Sequence, residues 1–292
     1  LDRRIISAQK SGYIDWQVTG FMEMQPKQRL DNALTDKTYW EQGYVGANLF
    51  SELASLDDYR ESPLRKMIDL IVSVGITNKK VLEVGAGNSS ILLLLAKYYG
   101  HAAKFWGLDY TKSGCESLSA RASVNDLIVE VIHGDMFLPD EHLKGSFDVV
   151  YSVGVAEHFV DLPSVIQALK QFLKPGGILI TLIPNMQGII GYSTKRMNRV
   201  VYELHNPHDI KSMMDAHRSA GLAVLRANYL CSNNFGVLSS CVSSRTGMRW
   251  NIYLYLSRIS KLIWMFERRF WELPRSRLFS PYLYTIAKKI GS

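Results

Sequence analysis

Val81-Leu82-Glu83-Val84-Gly85-Ala86-Gly87-Asn88-Ser89-Ser90 is the stretch whose reading decides the fold. Its opening residues are apolar around one carboxylate, the pattern of a buried strand. Gly85 and Gly87 then mark a turn. The first is free to take backbone angles closed to other residues, and the second lets the main chain approach a ligand closely. An apolar run, Ile91 to Tyr99, follows at helical length. Free N–H groups at the start of such a helix favour an anionic or hydrogen-bonding ligand. Strand, ligand-binding turn and helix are therefore expected in that order. A dinucleotide fingerprint would need a third loop glycine, where this chain has Ser90.

Working outward, the same alternation repeats. A helix is expected from Pro63, with Leu64, Met67, Ile68, Ile71 and Val72 at helical spacing and a stop at Gly75. Strand one is Lys80 to Val84 and strand two Ala103 to Leu108, ending at Asp109, 24 residues after Gly85. A carboxylate at that strand end can accept both ribose hydroxyls of an adenosine. Strand three is Leu127 to Ile132, strand four Phe147 to Ser152, and a helix follows over Leu162 to Leu173. Lys174-Pro175-Gly176-Gly177 ends that helix and leads into strand five, Ile178 to Ile183. Strand six is Leu222 to Leu230 and a last strand lies near Pro281 to Ala287. Alternating strands and helices of these lengths imply an α/β fold, a doubly wound, mostly parallel sheet with helices on both faces.

Glu83, Gly85 and Gly87 resemble the first motif of class I S-adenosylmethionine (SAM) methyltransferases, Glu-x-Gly-x-Gly-x-Gly, with Ser89 in place of the last glycine. Leu-Lys-Pro-Gly-Gly before a buried strand is a second recurrent stretch of that family. The resemblance covers about residues 78–230 plus the final strand. It implies a seven-stranded Rossmann-like sheet, SAM as cofactor and methyl transfer to a small-molecule acceptor. It further implies that Glu83, Gly85, Ala86, Gly87 and Ser89 hold the cofactor with Asp109, Tyr110 and Ser152 at neighbouring strand ends. In His133-Gly134-Asp135-Met136-Phe137, Asp135 would receive the adenine amino group and Met136 would pack on the ring.

Methyl transfer needs alignment of donor and acceptor, which can supply about 7–11 kcal/mol, and a base if the acceptor loses a proton. Ser152-Val153-Gly154-Val155-Ala156-Glu157-His158-Phe159 follows strand four, where ligands of doubly wound folds bind. His158 has the intrinsic pKa for proton transfer, and the Glu-His-Phe run resembles small-molecule O- and N-methyltransferases. Glu157 and His158 are the candidate catalytic pair; the competing reading makes them a helix cap that shapes the pocket. His205, His208 and Tyr192 are second candidates. No cysteine, histidine or carboxylate cluster has metal-ligand spacing, so no metal is expected. There is no Asn/Asp-Pro-Pro-Tyr after strand four and no Pro-Cys, which speaks against methylation of nucleic-acid bases.

The 292 residues divide into an N-terminal helical cap (1–60), a SAM-binding core (61–235) with a lid insertion (185–206), a basic amphipathic insertion (236–279) and a last strand (280–292). The cap carries the aromatic run Thr38-Tyr39-Trp40-Glu41-Gln42-Gly43-Tyr44. Net charge is +7, but residues 236–292 hold 10 Lys and Arg against 2 Glu, so the basic character is local. Ile252, Leu256, Ile259, Ile263, Phe266 and Phe270 step by four and three along one helical face, with Arg258, Lys261, Arg268 and Arg269 on the other side. Either that helix is a lid packed on the core or a second subunit, or residues 250–270 touch a membrane or a lipid-linked acceptor. Three scattered cysteines, no apolar run of spanning length and no signal peptide at the start make the cytoplasm the expected location, with peripheral membrane contact as the second reading. The favoured acceptor is a hydroxyl of a sugar, polyketide-like or lipid-linked compound. An amine acceptor, a methyltransferase-like RNA- or protein-binding module and a dinucleotide oxidoreductase are the alternatives; no sequence-specific nucleic-acid contact is expected.

Overall fold

The computed structural model describes residues 33–44, 53–242 and 244–291. Most of the expected N-terminal cap, 1–60, lies outside these residues. Its described residues, 33–44 and 53–60, include α1 (Lys37–Tyr44) and the start of a 3-10 turn, Tyr59–Glu61.

Seven strands form one sheet: β1 (Lys80–Val84), β2 (Lys104–Asp109), β3 (Glu130–His133), β4 (Phe147–Val153), β5 (Leu173–Pro184), β6 (Leu222–Leu230) and β7 (Tyr282–Lys289). Their spatial order is β3-β2-β1-β4-β5-β7-β6. The first five pair in parallel, and β7 runs antiparallel between β5 and β6. The order reverses between β1 and β4, so the crevice for a ligand opens at the carboxyl ends of those two strands.

The period of two along each strand sorts side chains into two cores. Val81, Val149 and Tyr151 face one, with α2 (Ser62–Val72) and α3 (Ser90–Tyr99). Leu82, Val84 and Val150 face the other, with α5 (Leu162–Gln171) and α8 (Ile210–Ser219). α4 (Lys112–Val124) adds Leu118 and Ala122 to the first core. α3 is buried through Ile91–Ala96 because it lies between the sheet and α2. That placement explains an apolar run with no polar face.

Two element readings change. The helix after β4 ends at Gln171, and Lys174-Pro175-Gly176-Gly177 lies inside β5 instead of ending the helix. Leu173 already pairs with Phe147, and an irregularity in the β4–β5 register absorbs the proline and glycines. Strand three is shorter than expected, starting at Glu130, because it is the sheet edge and pairs only with β2.

The 185–206 insertion folds as α6 (Ile189–Met197) and α7 (Arg199–Glu203). α9 (Gly247–Arg269) fills most of the basic insertion, but not in the expected orientation. Ser260, Trp264 and Glu267 are its buried residues; Ile252 is exposed and Leu256, Ile259, Ile263 and Phe266 are half-buried. Hydrogen bonds set this face. The Ser260 hydroxyl accepts from Phe235 N (2.9 Å), Trp264 Nε1 donates to the Asn233 carbonyl (3.1 Å), and Glu267 accepts from Lys66 Nζ (3.0 Å) and Leu273 N (3.1 Å). No helix among the described residues is long and apolar enough to cross a membrane.

Candidate active site

The glycine turn at the end of β1 has the strained backbone its sequence implies, with φ of +76° at Gly85 and +36° at Gly87. A Cβ on Gly85 would strike Val155 Cγ2, and one on Gly87 would strike the Tyr44 hydroxyl. The turn is held by Gly85 N and Ala86 N, which donate to the Leu108 carbonyl at the end of β2 (2.8 and 3.0 Å). Ser89 caps α3 by accepting from Leu92 N (3.1 Å) and also bonds Glu83.

Glu83 and Asp109 are both buried here. Glu83 accepts from the Tyr151 hydroxyl (2.8 Å), and burial pushes its carboxyl up to about 8 against the lowering bonds from Ser89 and Tyr151. Its bond to Tyr151 ties the end of β1 to β4. Asp109 accepts from Gly87 N (2.7 Å), Thr111 N (2.8 Å) and the Thr111 hydroxyl (2.5 Å). Burial raises its pKa, and those three bonds oppose the rise. A carboxylate has about four acceptor positions, so one is left for a further donor. Gly134 N donates to the Asp109 carbonyl (2.9 Å), which brings the Asp135–Met136 pair beside the same strand end. Asp135 accepts from Phe137 N (2.9 Å), and Met136 is buried in the second core. Tyr110 is half-buried, its carbonyl 3.2 Å from His133 Nε2. At the end of β4 the Ser152 hydroxyl is buried with no hydrogen-bond partner among the described residues.

α1 closes over this groove. Tyr44 lies between Gly87 and Gly114, and burial, then the Asp109 charge, raises its phenol. Glu41 accepts from Lys112 N (2.9 Å) and Ser113 N (3.0 Å), capping α4 from outside its own segment. Sequence reasoning singled out this aromatic run without assigning Tyr44 or Glu41 a role, and it passed over Tyr151 and Thr111. Only the aromatic run carried a signal; the others depend on strands meeting in space.

The second half of the site is the 3-10 turn Ala156–His158 after β4. Val155, packed against Gly85, joins it to the glycine turn. Glu157 is 1% exposed, and its Oε2 has no hydrogen-bond partner among the described residues. His158 Nδ1 lies 2.7 Å from the Leu204 carbonyl, so Nδ1 carries the hydrogen and Nε2 keeps its lone pair, 3.8 Å from Glu157 Oε1. His205 is held in the same way, its Nδ1 2.7 Å from the Val201 carbonyl. The two imidazole centres are 4.7 Å apart, and Trp40 packs edge-on against His158 at 5.0 Å. Burial pushes Glu157 up to about 8 and, with His205 adding to it, His158 down to about 4. His205 is likewise lowered by burial.

The pieces are stitched by Asn206 N donating to the Glu157 carbonyl (2.6 Å) and Leu34 N to the His158 carbonyl (2.8 Å). His208 is buried, whereas Tyr192 is exposed on α6. Sequence spacing offered no metal-ligand set, yet folding places ligand atoms of Glu157, His158 and His205 within 4.8 Å of one another, a grouping that could hold a metal ion.

The chain is similar to the ubiquinone biosynthesis O-methyltransferase of Histophilus somni (strain 2336), at 32% identity over 109 residues, 36% of this chain and 44% of that protein. It is 27% identical to the protein of that name from Pectobacterium atrosepticum over 164 residues, 53% of this chain and 64% of the relative. The chain spans about half the length of the curated relatives it matches. Among solved structures, the [4+2]-cyclase SpnF superposes with a TM-score of 0.61 at 14% identity, over 89% of this chain and 97% of that one. Geranyl diphosphate C-methyltransferase of Streptomyces coelicolor A3(2), solved with Mg2+, geranyl diphosphate and S-adenosyl-L-homocysteine, gives 0.56 at 12% identity, over 87% and 97%. These likenesses establish the fold alone. The family described as "Methyltransferase domain" matches residues 77–225, half of the chain, and contains both the glycine turn and the Glu157–His158 turn; the chain belongs to that family.

Proposed function

We propose that the protein is a SAM-dependent methyltransferase acting on a hydroxyl of a small-molecule acceptor. One observation carries the acceptor side of this reading. Glu157 Oε2 is a buried acceptor with no partner among the described residues, beside a histidine whose Nε2 faces the same carboxyl. A buried polar group without a partner costs about 1–3 kcal/mol, and an acceptor's hydroxyl hydrogen would supply that partner.

The first half of the site fits the cofactor. Asp109 has an acceptor position for a ribose hydroxyl, and the Ser152 hydroxyl is buried with no hydrogen-bond partner among the described residues; Val155 and Tyr44 occupy the space beside Gly85 and Gly87. SAM, when bound, supplies a methyl group already activated by its sulfonium. The chain's own task is then alignment and proton removal. His158, held neutral by burial, presents Nε2 to the acceptor proton. Glu157, raised towards working pH, is the stronger base of the pair and can take that proton onward. The cluster is read as working without a metal.

An ammonium acceptor is the second reading, since the same Glu157 oxygen would also accept from N–H. Free, buried cysteines suit a reducing compartment, and residues 250–270 suit an acceptor met at a membrane, which favours lipid-linked compounds. The test is transfer of a labelled methyl from SAM to a panel of phenols, sugars, prenylated phenols and amines, beside calorimetric titration with SAM and NAD. SAM binding with transfer to hydroxylated members supports the reading. RNA binding with no SAM affinity would assign the fold to a non-catalytic role.

A further inference from the structure

We infer that α9, with Phe270 and Trp271 after it, is a docking surface for an anionic lipid bilayer. Soluble proteins place a helix's apolar stripe inwards, and here a polar-anchored stripe takes that place. At about 100° per residue, Ser260, Trp264 and Glu267 fall on one side of α9, and Tyr255, Arg258, Leu262 and Arg269 on the opposite side. The outward side mixes these cations with a ridge of apolar side chains. Met248 is 79% exposed, Tyr255 67%, Leu262 60% and Trp271 63%, with Ile252, Met265 and Phe270 also exposed. An exposed apolar row of this kind is the informative exception to ordinary burial.

Charge selects the occupant. Arg258, Lys261 and Arg269 border the ridge, Arg245 and Arg249 stand at its start, and none of the five pairs with a carboxylate among the described residues. Of the nearby carboxylates, Glu267 pairs with Lys66 on the buried side, and the exposed Glu272 pairs with Lys66 and Arg275. Apolar groups flanked by unpaired cations, with Trp, Tyr and Phe among them, match the boundary between acyl chains and anionic headgroups. The cations and the fold's burial of Glu267 make the helix lie along such a surface; it does not enter it end-on. This deepens the lipid-linked reading of the acceptor but does not share its test, because bilayer binding is read with no methyl donor or acceptor present.

Co-sedimentation of the full chain with phosphatidylcholine vesicles, with and without phosphatidylglycerol, decides the matter. Binding should require the anionic lipid and weaken with salt. Arg258→Gln/Arg269→Gln should weaken it about 30-fold, from about 1 kcal/mol per cation near the surface. Leu262→Asp/Met265→Asp should abolish it while the melting temperature and SAM affinity stay unchanged. No binding to anionic vesicles at low salt, or undiminished binding by Leu262→Asp/Met265→Asp, overturns the inference. So does a concentration-dependent dimer that Leu262→Asp dissociates and that binds no vesicles, which would assign the ridge to a second copy.

Discussion

The glycine turn after β1 and the Glu157–His158 turn after β4 sit on adjacent strands, yet they treat buried polar atoms differently. At the first, Glu83 has Tyr151 and Ser89, and Asp109 has Gly87 and Thr111. At the second, Glu157 Oε2 has no hydrogen-bond partner among the described residues, and two imidazoles are each pinned through Nδ1, with His158 Nε2 left facing the Glu157 carboxyl. A satisfied network is rigid before any ligand arrives. An unsatisfied one keeps its binding capacity for a partner. The carboxylates of the first half therefore read as a held scaffold, with the Ser152 hydroxyl its one open group among those named, and the second half as a reacting surface; mutations should separate them.

The largest effect is expected at the reacting surface. His158→Ala should lower turnover by about 10²–10⁴ and leave SAM affinity within about twofold. A steady-state assay paired with calorimetry checks this, and near-normal turnover would leave His158 a pocket-shaping residue. On the scaffold side, Asp109→Ala should weaken SAM binding by about 2–4 kcal/mol, from the lost charge-assisted contact and a loosened Gly87 turn. A folded variant with unchanged affinity would remove the ribose assignment.

Gly85→Ala tests the scaffold's geometry, since φ of +76° and the Val155 side chain both oppose a Cβ. About 1–3 kcal/mol of stability should be lost, seen as a lower melting temperature, together with weaker SAM binding. The pH profile sharpens the comparison further. Glu157 is ionised only above about 8, so turnover that uses its carboxylate should rise with pH about tenfold per unit below 8 and level off above it. Glu157→Gln should flatten that limb, and a profile unchanged by the substitution would take Glu157 out of proton transfer. The smallest effect lies away from both halves. Trp264→Phe removes the N–H that holds α9 to the Asn233 carbonyl and should cost about 1 kcal/mol of stability with no change in SAM affinity.

How far each region could be read from the chain follows the same division. The glycine turn was legible because its requirements are local: positive φ at Gly85, an N-cap at Ser89 and a carboxylate at the strand end all fall within one βα unit. The alternation of apolar runs likewise announced the parallel sheet. The boundary errors at β5 and β3 came from pairing, since a strand partner can hold Lys174–Gly177 extended against their turn propensity.

What the sequence determined by itself was therefore the order of elements and the residue types at each strand end, because backbone propensity and burial period act over a few residues. Tertiary structure alone decided which distant groups met. Tyr151 reaches Glu83 because β4 pairs with β1, and His205 reaches His158 because α7 folds back over the 3-10 turn. It also decided which face of α9 turned inwards. Helical spacing ranks faces by apolarity, but Ser260, Trp264 and Glu267 are drawn inside by partners at Phe235, Asn233 and Lys66. Those directional bonds exist only once the chain has folded, and in a dry interior each outweighs the modest gain from burying one more half-exposed aliphatic side chain.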